Sequence, residues 1–67
     1  MQLRNDLKEV RIRLSVSQAE LGRRTGLSRA TVGRIERGEC MPSLRIAMKL
    51  SKKLGVQVED IFHLANG

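Results

Sequence analysis

Three glycines punctuate this chain. Gly26, Gly38 and Gly55 each stand just past a stretch in which apolar residues return every three or four positions. Glycine ends helices in that way because it enters the left-handed conformation without a steric penalty. Serines stand at the opposite ends: Ser17, Ser28 and Ser43 each precede a periodic stretch, where a hydroxyl can satisfy a free helical N–H. No six-residue stretch alternates in the manner of a strand. The expected fold class is therefore all-α, a compact bundle of five helices over about residues 3–13, 18–25, 29–37, 44–54 and 59–64.

Each segment has a face. In the first, Leu3, Leu7, Val10 and Leu14 form one stripe, with Ile12 off it as a surface residue. In the second, Ser17-Gln18-Ala19-Glu20 reads as a capping box, and Ala19 and Leu21 are expected to point inward. In the third, Val32 and Ile35 form the buried face, while Ala30, Gly33, Arg34 and Arg37 fall on the opposite arc. In the fourth, after Pro42, Leu44, Ala47, Leu50, Ser51 and Leu54 share a face that excludes Ile46 and Met48. Val56 and Val58 lead into the fifth, anchored by Ile61 and Phe62, with His63 expected as an exposed helix-end residue. A chain of 67 residues has room for one core, so residues 1–67 read as a single domain.

Thirteen Lys and Arg against seven Asp and Glu give a net charge of +6, which points to a polyanionic partner. A near absence of aromatics, with one Phe and no Trp or Tyr, argues against modules that stack single-stranded bases. No apolar run approaches the ~18 residues of a membrane span. Cys40 and His63 are the only residues of their types and cannot fill a four-ligand zinc site, so neither metal nor cofactor is expected. Cys40 lies in a loop with no resolving partner. Glu59 and Asp60 read as first-turn helix acids. Nothing in the chain suggests an enzyme.

From Gly22 to Arg37 there are five arginines and a single acid, Glu36, so this stretch carries +4 of the total +6. Arg23, Arg24 and Arg37 fall in last helical turns, where a cation offsets the helix dipole by roughly 0.3–1 kcal/mol. Arg29 lies in a first turn, where a cation is unfavourable, so structure does not explain it. Two short helices joined by a four-residue turn, the second with a basic outer face, make a helix-turn-helix suited to the major groove.

The ordered pieces Val16-Ser17-Gln18-Ala19-Glu20-Leu21, Gly26-Leu27-Ser28, Ile35-Glu36-Arg37-Gly38-Glu39, Pro42-Ser43-Leu44, Leu54-Gly55-Val56 and Glu59-Asp60-Ile61-Phe62 together resemble the lambda-repressor-like helix-turn-helix family of phage and bacterial regulators, of Cro/cI or XRE type. The resemblance covers about residues 3–64. It implies a double-stranded DNA partner, with Arg29, Ala30, Thr31, Gly33 and Arg34 facing base edges and Gln18, Ser28, Arg37 and Arg23 at phosphates. It implies an ion pair between Arg11 and Glu36, and Glu36 does fall within about 40° of the buried Val32 on a helical wheel. Three positions depart from the family's habit. Ser15 replaces a common glycine, Gly22 a common alanine that could let helices pack closer, and Gly33 a residue that often reads a base.

The expected function is a sequence-specific regulator of transcription, a repressor that binds a palindromic operator as a homodimer. Candidate dimer residues are Ile46, Met48, Phe62 and Leu64, with core filling as the competing role for Phe62 and Ile61. The resemblance fits a cytoplasmic bacterial or phage setting and no membrane. The alternative is a protein-interaction module on the same fold, an antitoxin or coactivator subunit with a protein partner of its own.

Overall fold

The structure, a computed structural model, describes residues 2–65. Local chemistry builds the three central helices. Ser17 Oγ accepts from the Glu20 N–H at 3.0 Å and starts α2 (Gln18–Thr25). Ser28 Oγ does the same for Thr31 at 3.0 Å and starts α3 (Arg29–Glu36). Ser43 Oγ accepts from Ile46 at 3.2 Å and starts α4 (Leu44–Leu54). Gly26 and Gly55 close α2 and α4 with φ of 76° and 72°. Before these lies α1 (Leu7–Arg13), and after them a single turn, α5 (Val58–Ile61), where the Asp60 carboxylate accepts from the Gln57 N–H at 2.9 Å.

The ends of the chain correct the all-helical expectation. Gln2–Asn5 and Phe62–Ala65 are strands, β1 and β2, paired antiparallel with Leu3 opposite Leu64 and Arg4 opposite His63. The first helix begins at Leu7 rather than Leu3 because Asn5 and Asp6 divert the backbone. Asn5 Oδ1 accepts from the Leu7 N–H, Asn5 Nδ2 donates to the Ile35 carbonyl at 3.0 Å, and the Asp6 N–H bonds the Ile61 carbonyl at 2.7 Å. The last helix stops at Ile61, so His63 lies in a strand, half-buried, with Nε2 2.9 Å from Asp6 Oδ2.

The core is Leu7, Val10, Leu21, Val32, Ile35, Leu50, Leu54 and Ile61, with Val16, Leu27, Ile46, Val56 and Phe62 packed against it. Five inward or outward assignments reverse. Ala19 is exposed, since it lies about 200° around the helix from the buried Leu21. Leu44 is 74% exposed, left uncovered at the start of α4. Ile46, one turn before Leu50, packs inward instead. Leu3 and Leu14, expected on the first stripe, are both exposed because α1 lies between them.

Ser15 follows α1 with φ of 60°. A side chain in the left-handed region costs ~1–2 kcal/mol, and glycine's larger unfolded-state entropy returns part of that gain. Ser15→Gly is therefore expected to raise the unfolding free energy by about 0.5–1 kcal/mol, read as a higher urea midpoint at unchanged slope.

Candidate nucleic-acid interface

Close approach of the backbone sets the angle between α2 and α3. The two helices meet across the turn Gly26–Ser28, whose Leu27 N–H bonds the Gly22 carbonyl at 2.9 Å. Gly22 is buried, and a Cβ there would lie 2.5 Å from the Leu27 carbonyl oxygen. The missing side chain is what lets the turn sit against α2. Thr25 closes the same corner, its hydroxyl donating to the Leu21 carbonyl at 2.7 Å.

One side of α3 then faces outward. Arg29, Ala30 and Arg34 are exposed, and Gly33 lies under the side chains of Gln18 and Arg37. These six residues line a shallow hollow of about 380 Å³. Thr31 stands to one side, half-buried, with Oγ1 2.8 Å from Ser28 Oγ. Arg23 lies apart from the hollow, on α2, where it and Arg24 both hold the Glu20 carboxylate. Glu20 is turned to these arginines, so the reciprocal half of the expected capping box is not made.

Behind the face sits a buried polar knot. Arg11 Nε donates to Glu36 Oε2 at 2.6 Å and Nη2 to Oε1 at 3.3 Å, while Nη1 donates to the Val16 carbonyl at 3.0 Å. The side chains are 10% and 3% exposed. Gln18 Nε2 adds a third bond to the carboxylate, 2.9 Å from Oε1. One amide hydrogen of Gln18 is thus committed inward, leaving a second hydrogen and the amide oxygen for a ligand. Nothing in the sequence pattern announces the Gln18–Glu36 bond.

The arginines divide into two sets. Arg37 Nε is 2.6 Å from Glu39 Oε2. That hydrogen bond, with the charge attraction behind it, holds the Glu39 carboxyl below its ordinary pKa and raises that of Arg37. Arg23 and Arg24 share Glu20. Arg29 and Arg34 form no ion pair among the described residues. The sequence missed Glu39 as Arg37's partner, although their spacing of two across the helix end was visible.

Of the four candidate dimer residues, Ile46 and Phe62 pack on the core, whereas Met48 is 55% and Leu64 69% exposed. Cys40 is free and exposed. Among the described residues no group of three His, Cys, Asp or Glu is placed to hold a metal ion. Among the described residues no helix is long and apolar enough to cross a membrane.

A capped helix, a tight left-handed turn and a second helix with a cationic outer face define a helix-turn-helix. The chain belongs to the helix-turn-helix family of XRE, lambda-repressor-like type, whose profile matches residues 7–61. It is 42% identical to the uncharacterized HTH-type transcriptional regulator YgzD of Bacillus subtilis over 62 residues, 92% of this chain and 94% of that one. The crystal structure of the P22 c2 repressor in complex with synthetic operator 9T is similar at TM-score 0.74 and 30% identity, over 79% of this chain and 80% of that one. A Bacteroides fragilis protein superposes at TM-score 0.87 over 92% of this chain and all of that one; its 22% identity speaks to the fold alone.

Proposed function

We propose that this protein is a sequence-specific double-stranded DNA-binding regulator of transcription, a repressor that binds a palindromic operator as a homodimer. One observation carries the reading: Arg29 and Arg34, the two arginines within α3, neither with a carboxylate partner among the described residues, flank the exposed hollow of that helix. Arginine's planar fork matches guanine O6 and N7. Gln18, Ser28, Arg37 and Arg23 take the phosphates, and the base face falls to Arg29, Ala30, Thr31, Gly33 and Arg34. The relation to a repressor studied on its operator supports the same reading. So small a domain covers little DNA alone, and a two-fold pair on half-sites about 34 Å apart supplies the missing contact area. Leu44 and Met48, one turn apart on the outside of α4, offer an exposed apolar ridge for that pairing.

The test is selection from a randomised duplex library at low and near-physiological salt. A palindromic motif that survives the higher salt is expected. Arg29→Ala and Arg34→Ala should each relax a defined position in it and weaken binding by about 1–3 kcal/mol, roughly 5- to 150-fold. Uniform binding that collapses with salt would instead reduce the charge to phosphate affinity. The interaction-module reading would then lead, with the Leu44–Met48 ridge as its docking surface.

A further inference from the structure

The outer stripe of α4 carries a charge pattern that helix stability does not explain. The helix holds Arg45, Lys49, Lys52 and Lys53 and no acid. Arg45, Lys49 and Lys52 follow at spacings of four and three, so they stand in a row about 10 Å long. Like charges at such spacings weaken a helix. Lys52 falls in the last turn, where a cation is favoured. Lys49 Nζ lies near the end of α2, 3.8 Å from where a Cβ of Gly26 would stand. Arg45 has no such reason: it falls in the first turn, where a cation is unfavourable. None of the three forms an ion pair among the described residues.

This row is one wall of a groove of about 570 Å³, which shares no residue with the hollow of α3. The segment leaving α4 supplies the other wall, with Val56 and Val58 half-buried in it. Val56 also packs on the core, whereas Val58 is not among the residues that do. Met48, 55% exposed, adds a third apolar side chain. Glu59 is the one acid of the lining, and it pairs with none of the cations. Apolar walls beside a row of cations select among ligands. A DNA phosphate would use the cations and leave the valines and Met48 in water. An acidic peptide uses both, with one large apolar side chain against the valines and carboxylates along the row. We infer that this groove docks an acidic segment of a partner protein, an apolar anchor flanked by Asp or Glu. Docking there does not depend on the DNA-binding reading.

The test uses the full chain and a short fluorescein-labelled peptide of glutamates around one central leucine, read by fluorescence anisotropy at near-physiological salt. One control peptide has glutamine for each glutamate, and another has serine for the leucine. The Glu–Leu peptide is expected to bind, and each control to bind about tenfold more weakly or worse. Val58→Thr keeps the branched shape and exchanges a methyl group for a hydroxyl, so it should weaken the Glu–Leu peptide about fivefold with the fold retained. Arg45→Glu/Lys52→Glu should lose that peptide and gain its lysine-substituted counterpart, an exchange of preference that a damaged fold would not give. Met48 is left unchanged throughout because it also belongs to the ridge with Leu44. No binding, equal binding of the three peptides, or a Glu–Leu affinity unmoved by the double reversal overturns the docking groove. Two other occupants would overturn it as well. If Arg45→Gln/Lys52→Gln lowers the salt slope of duplex binding by about two, the row holds phosphates. If Val58→Thr shifts the self-association measured by sedimentation equilibrium, a second copy of the chain covers the groove.

Discussion

Glu36→Ala is expected to lower the unfolding free energy by about 3–5 kcal/mol, the range seen when one partner of a buried ion pair is removed. The change strands Arg11, whose side chain is only 10% exposed and which directs Nε and Nη2 at that carboxylate. It also removes the acceptor that anchors Gln18. A domain of this length has about 3–10 kcal/mol of stability in all, so the variant should lose a large share of it. Urea denaturation of the wild type, Glu36→Ala and Glu36→Gln measures the effect. Glutamine retains part of the hydrogen bonding without the charge and should fall between the other two. A loss below about 1 kcal/mol for Glu36→Ala would mean that water reaches the Arg11 guanidinium freely, as at an exposed pair.

Gly22→Ala is the second large effect, and it runs against helix propensity. Alanine should favour the middle of α2 by about 1 kcal/mol. The new Cβ would nevertheless meet the Leu27 carbonyl oxygen at 2.5 Å, a backbone atom with no rotamer to change. Overpacking of this kind costs about 1–3 kcal/mol, and the clash at a rigid turn places the net loss near 2 kcal/mol. A fall in Tm of roughly 8–16 °C follows for a domain of this size. DNA affinity should fall further than the unfolded fraction accounts for, because the displaced turn carries α3 with it. An unchanged or higher Tm would show that the α2–α3 corner yields easily and that the glycine is not what sets its angle.

The central helices were legible because their signals are local. Ser17, Ser28 and Ser43 cap from one side and Gly26 and Gly55 from the other, each acting within four residues of its own position. The terminal strands were not legible. Each is four residues long, too short for alternation to show, and β1 pairs with residues about sixty positions away. Leu3 and Leu64 therefore read as helix residues, and Asn5-Asp6, the true helix start, passed unnoticed. Ala19 failed for a different reason, since a residue two positions from Leu21 on a helix must face away from it. At the interface, arginine in a first turn marked Arg29 from sequence alone. Which arginines already have a carboxylate partner depends on side-chain geometry at helix ends, as for Arg37 and Glu39, and emerged only from the fold.

The division among the arginines also bears on how this surface behaves in a crowded solution of DNA. Glu20 and Glu39 are tethered counterions for Arg23, Arg24 and Arg37. A phosphate that approaches these arginines must displace an anion that cannot diffuse away. The affinity for arbitrary duplex, and its steepness against salt concentration, should therefore be smaller than a net charge of +6 suggests. Arg29 and Arg34, at the hollow of α3, have no such resident anion among the described residues. The same +6 is thus muted at Arg23, Arg24 and Arg37 and left open at Arg29 and Arg34.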